Sequence, residues 1–202
     1  MSGVRFTCRV STADIADDFN RPNLTDIAGT KTPIGQALWE RFRKSDATLT
    51  GGIVSQRIRA TGGPDAVGNV AYLLNAGATD YDITYIVRDT NNYSMSPYVV
   101  FRGIDDQNHF AVSHRKSIAV PGYGIIRRLN GAVRVESESN VIPAPGDRVR
   151  IRVRAQVVEV FVNDTSIMTF TMAGGETRVM CGVLFVADDQ VSSFDNFSIY
   201  RR

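Results

Sequence analysis

Apolar and polar residues alternate with a period of two along most of this chain, the pattern of half-buried β-strands. The clearest stretch is Arg148-Val-Arg-Ile-Arg-Val-Arg154, in which Val149, Ile151 and Val153 face one way and four arginines face the other. After a break at Ala155-Gln156 the pattern resumes with Val158, Val160 and Val162. Asn163-Asp164 is a turn signal, and Met168, Phe170 and Met172 alternate beyond it. Three antiparallel strands joined by tight turns explain the whole run. The same logic makes strands of Val4 to Val10, of Ile83, Tyr85 and Val87, and of Tyr98 to Arg102 and His109 to His114. Gly182 to Val186 reads as a short central strand, and Phe197 and Ile199 close the chain. Only Gly35 to Lys44, with Ala37, Leu38, Trp39 and Phe42, has the spacing of a helical turn or two. Many short strands with turn-forming loops predict an all-β fold, a two-sheet antiparallel jelly-roll sandwich. Residues 17–202 are expected to form that sandwich. Residues 1–16 are expected to form a separate N-terminal strand, with Val4, Phe6 and Val10 as candidates for adding to the edge of a partner's sheet.

Composition narrows the classes without naming one. The 202 residues suit a single domain, and a fold of that size buries enough surface to need no covalent staples. The hydrophobic fraction of 43% and charged fraction of 22% are those of a globular protein, and a net charge of +2 does not by itself imply a nucleic-acid partner. No apolar run is long enough for a membrane helix, and residues 1–20 lack a signal-peptide core, so neither a membrane partner nor classical secretion is expected. Cys8 and Cys181 are too few for a disulfide framework and read as buried thiols, with a bond between them left open.

Specific segments then resemble a known family. Asp17-Asp-Phe-Asn-Arg21, followed by Gly35 and Trp39, looks like the opening of a concanavalin A-like (laminin-G-like) domain. Val99 to Val112 resembles the paired strands of that superfamily around an Asp-x-x-Asn turn. Val158-Glu-Val-Phe-Val-Asn163 resembles a strand ending in an Asn-Gly turn, with Asp164 in the Gly position, and Phe194-Asp-Asn-Phe-Ser-Ile-Tyr200 resembles the closing strand. The resemblance implies a jelly roll whose first and last strands lie side by side, with Phe19 and Phe197 entering one core and Asp17, Asp18, Asp195 and Asn196 capping backbone groups. An opening Asp-Asp-Phe-Asn-Arg is also similar to minor tail and other virion proteins of bacteriophages. That implies a structural or binding module on a phage tail or capsid surface, assembled in the host cytoplasm. Its partners would be other virion proteins, copies of itself and, in places, host-surface glycan.

Sugar rings stack on exposed aromatics, which makes Tyr93, Tyr98 and Tyr123 the candidates for carbohydrate contact. The resemblance also admits glycoside hydrolases, which need two carboxyl groups facing each other across a cleft. Glu136-Ser-Glu138 is the one pair that period two would set on a single face, but a solvated face is its ordinary reading, and no enzyme activity is expected. Calcium takes several oxygen ligands, and Asp105, Asp106 and Asn108, next to His109, are the candidate metal ligands, although Asp and Asn are also the default turn residues. No other cofactor is expected. His109 and His114, five positions apart on one strand, point to opposite faces and cannot share a site. The Arg148, Arg150, Arg152 and Arg154 stripe reads as a solvated face or protein interface, with acids near enough in sequence to pair across strands, rather than as a nucleic-acid surface.

Overall fold

The computed structural model describes residues 12–43, 46–61, 65–90, 97–115, 122–173, 177–186 and 192–202. Among these residues there are fifteen strands and no helix, numbered in chain order below. The first sheet runs β13 (Thr165–Thr171), β12 (Val157–Val162), β11 (Arg148–Arg154), β6 (Tyr81–Asp89), β15 (Ser193–Arg201), β4 (Arg57–Ala60) and β3 (Gly51–Val54), with β1 (Ile15–Asp17) also paired to β15. The second runs β10 (Ala132–Glu138), β9 (Gly122–Leu129), β8 (His109–Arg115), β7 (Tyr98–Gly103), β14 (Met180–Val186), β5 (Asn69–Asn75) and β2 (Glu40–Arg43). All pairings are antiparallel, and the two sheets stack into the expected jelly-roll sandwich.

The valine side of the β11–β12–β13 run packs inward, with Val149, Ile151, Val153, Val158, Val160 and Met168 all in the core. Asn163 and Asp164 turn the chain between β12 and β13 with positive φ at both residues (49° and 67°), the requirement of a tight hairpin that Asn and Asp meet at lower cost than other side chains. The expected helical turn after Gly35 is absent. Leu38 bridges to Lys31, and Glu40–Arg43 pairs with β5 as an edge strand. The apolar spacing there records Trp39 and Phe42 packing on different surfaces, which a helix would have merged.

Strand β1 pairs with β15 in the register Ile15↔Ile199 and Asp17↔Phe197, so the first and last strands lie side by side. Ile15 is buried in the main core, which moves the start of the sandwich ahead of the expected boundary at residue 17. The buried Asp17 carboxylate organises this seam. It accepts hydrogen bonds from the Phe19 amide (2.9 Å), from both terminal nitrogens of Arg21 (2.8 Å each) and from the Trp39 indole (3.0 Å). Trp39 in turn lies between the rings of Phe19 (6.4 Å) and Phe197 (5.6 Å). Gly35 completes the motif: it sits at φ +80°, and a Cβ there would collide with the Asp14 carbonyl. Each residue of the Asp-Asp-Phe-Asn-Arg opening with a buried partner is therefore a closing device for the sandwich.

Breaking a buried pair by removing one partner leaves the other uncompensated. Asp17→Ala is expected to cost about 4 kcal/mol of unfolding free energy, read from the midpoint of urea denaturation. A loss below about 1 kcal/mol would show the seam to be held by the aromatic stack alone.

Candidate functional site

The outward face of the first sheet carries the polar half of its period-two pattern. Strand register sets these side chains in rows across four strands. One row is Phe161 on β12, Arg150 on β11, Thr84 on β6 and Ser198 on β15. The next is Glu159, Arg152, Asp82 and Tyr200. Around them opens a groove of about 520 Å³ lined in part by Asp82, Thr84, Arg150, Asn196, Ser198 and Tyr200. Its floor is β-sheet, so the positions of these side chains are held by the ladder rather than by loops.

Charge on this face is largely internally compensated. Arg154 meets the buried Asp82 at 2.6 Å and Arg202 meets it at 3.4 Å; Arg152 meets Glu159 at 3.0 Å. Arg148 and Asp164 pair at 3.1 Å with both side chains mostly in solvent, where such a pair contributes little. Arg150 and Arg152 both stack on the Phe161 ring, with guanidinium carbons 4.3 and 4.8 Å from its centroid, and so cover an aromatic that would otherwise face water. Tyr200 stays half-buried, with the Arg202 guanidinium 5.9 Å from its ring centroid. A half-exposed aromatic ringed by hydroxyls, an amide and guanidinium groups can stack on the apolar face of a sugar and hydrogen-bond its hydroxyls.

The residues singled out from the sequence lie elsewhere. Tyr123 is buried in the core, where its hydroxyl donates to Asp147 (2.8 Å). Burial, with Tyr85 and Asp147 close by, pushes that phenol far above its ordinary range. Tyr98 is 7% exposed and packs with Val100, Ala111 and Leu184 on the other face of the second sheet. Neither ring offers a face to a sugar, because strand pairing turned both against neighbouring side chains. Tyr93, Val4, Phe6, Val10 and Cys8 lie outside the described residues. Cys181 is a buried free thiol.

The Asp105 to Asn108 segment is a self-bonded turn. The Asp105 carboxylate accepts from the amides of Gln107 and Asn108 and from the Asn108 side chain, Asp106 accepts from the Gln107 side chain, and the Asn108 oxygen accepts from the Asn130 amide. These bonds engage both Asp105 oxygens, one Asp106 oxygen and the Asn108 oxygen within the loop and its neighbour. Among the described residues no three His, Cys, Asp or Glu side chains gather where they could hold an ion. The regular period two that would set Glu136 and Glu138 on one face is interrupted. A bulge between Val135 and Ser137 leaves Glu138 opposite Gly124, on the face of Ile126. Glu136 instead lies 3.6 Å from Arg134, which pairs opposite Arg127. Glu136 is thus the unpaired residue of the bulge, beside Arg134 rather than at a regular two-residue spacing from Glu138. His109 and His114 do point apart: His114 bonds the Tyr85 hydroxyl (2.8 Å) in the core, while His109 stands opposite Arg128.

Sequence reasoning missed the groove, although its parts were visible as the alternation Ser198, Tyr200, Arg202 and as the arginine stripe. What was missing was which strands stand next to β15. No family model matches the chain, and no curated protein matches it by sequence. Solved structures share the fold. The carbohydrate-binding module CBM66 from Bacillus subtilis superposes with a TM-score of 0.60 at 13% identity, over 89% of this chain and 99% of that one. Domain 4 of AbnA, a GH43 extracellular arabinanase from Geobacillus stearothermophilus, solved in complex with arabinotriose, gives 0.58 at 10% identity over 95% and 93%. A glycosyl hydrolase family protein from Mycobacterium fortuitum gives 0.58 at 12% over 94% and 100%. These likenesses show the class of fold, an antiparallel two-sheet jelly-roll β-sandwich.

Burial holds the His109 pKa at about 4 against an ordinary 6.5. The Asp105 carbonyl that takes its Nδ1 proton opposes the shift in part, and Arg128 adds to it. An imidazole whose folded pKa is depressed leaves the unfolded chain to take up the proton first. Its stabilisation is therefore complete above pH 6.5 and is lost as pH falls toward 4, by roughly 3 kcal/mol in all. Urea midpoints measured between pH 7.5 and 4 are expected to fall more steeply for the native chain than for His109→Gln; parallel slopes would refute it.

Proposed function

We propose that the chain is a non-catalytic carbohydrate-binding module whose saccharide site is the Tyr200 groove, carried on a phage virion and anchored there by neighbouring virion proteins. The observation that carries the saccharide reading is the half-buried Tyr200 ring set in a row of polar side chains on the rigid outer face of the first sheet. Its support from outside the site is the fold shared with a carbohydrate-binding module and with an arabinanase domain holding arabinotriose. Glu136 sits in a bulge beside Arg134, on the same strand as Glu138 and not across a cleft from it, which favours binding over cleavage. The virion setting rests on the Asp17 to Arg21 opening and its resemblance to tail proteins.

On an array of bacterial and plant saccharides, the native chain is expected to bind a defined subset. Tyr200→Ala should weaken that binding about tenfold, in keeping with the loss of one stacking contact of about 1 kcal/mol or more. Undiminished binding by Tyr200→Ala would remove the groove as the site. Release of reducing ends from any bound saccharide, abolished in Glu136→Gln, would overturn the non-catalytic reading. Mass spectrometry of phage particles purified from the host that carries the gene is expected to detect the chain, and its absence would remove the virion setting.

A further inference from the structure

Arg150 stands apart from the other arginines of β11 and the groove. Arg148, Arg152, Arg154 and Arg202 each have an acidic partner, whereas Arg150 has none among the described residues and rests only on the Phe161 ring. Its Nε is buried without a hydrogen-bond partner, so its charge is presented through the two terminal nitrogens. The groove itself is lined by three arginines (Arg148, Arg150 and Arg202) and two acids (Asp82 and Asp164), and Arg150 carries the positive charge that no acid balances. A guanidinium whose stem is clamped on an aromatic and whose terminal fork is free is pre-ordered for a planar anion, since the fork matches a carboxylate through two parallel hydrogen bonds.

We infer that the groove selects anionic saccharides, with the carboxylate of a uronic acid residue held by Arg150 and a ring of the same glycan stacked on Tyr200. This rests on the saccharide reading above and deepens it. Arg150 and Tyr200 stand on β11 and β15, two strands apart with β6 between them. That is about 10 Å at sheet spacing, a gap that one or two sugar units and the reach of an arginine span. Thr84 and Ser198 lie in the Arg150 row between the two strands, placed for hydroxyls of the same glycan. The free fork sits in an open groove, so the interaction is screened by salt and should weaken as ionic strength rises.

The test is calorimetric titration of the native chain with oligomers of galacturonate, glucuronate and mannuronate, each beside its methyl ester and the corresponding neutral hexose oligomer. At least one acidic oligomer is expected to bind ten times or more tighter than its ester and neutral counterparts. The preference should vanish in Arg150→Gln, persist in Arg134→Gln on the exposed edge of the second sheet, and shrink in 0.5 M salt. Equal affinity for acid and ester, or a preference that survives in Arg150→Gln, overturns anion selection and leaves the saccharide site standing. Binding of neutral oligomers alone does the same. Binding of no oligomer of either class overturns both readings, and Tyr200→Ala separates the cases further, because it should weaken acidic and esterified ligands alike.

Discussion

The Asp17 carboxylate lies out of solvent contact between the first strand, the turn that follows it and the Trp39 indole, and it ties these three together at the seam that closes the sandwich. Burying an ionised carboxylate is costly unless its oxygens are satisfied, and here a guanidinium fork, a backbone amide and an indole share them. That arrangement works only if β1 sits against β15, because Trp39 reaches Asp17 from beside the ring of Phe197. The electrostatic requirement and the aromatic packing therefore specify the same strand pairing. The first residues of the sandwich are tied to its last strand, although most of the chain lies between them.

The consequence for function is positional. Once β15 is flanked by β6 and β1, its outward residues Ser198 and Tyr200 are brought into rows with Thr84, Asp82, Arg150 and Arg152. A site built from strand faces inherits the rigidity of the ladder, which suits recognition by pre-ordered contacts. Arg150 and Arg152 on Phe161 show the same economy. Two like charges are tolerated side by side because an aromatic face accepts both and Glu159 neutralises one.

The second sheet has a different character. The middle of its outer face is apolar, with Ala71, Leu73, Val100, Ala111, Ile126 and Leu184 all buried, and Tyr98 belongs to that cluster rather than to a sugar platform. Polar groups at its end close on themselves, as in the Asp105 to Asn108 turn. The sheet thus works as structure, and the chemistry concentrates on the face opposite.

Much of the fold was legible in the residues. Period two in Arg148 to Arg154 and in its partners specified strands, and their apolar sides specified the core, because burial on one face of a pleated strand leaves no other solution. The matched ends, Asp17 to Phe19 and Asp195 to Phe197, were legible for the same reason: an acid next to an aromatic at both ends of a chain marks a seam. The bulge at Glu136, the burial of Tyr98 and Tyr123 and the Tyr200 groove were not legible. Each depends on which strand stands beside which, and at what register, and alternation along a single strand carries no information about its neighbours. The sequence by itself determined the sandwich and the means of its closure. Only the tertiary structure decided which polar residues meet, because long-range strand pairing sets those distances.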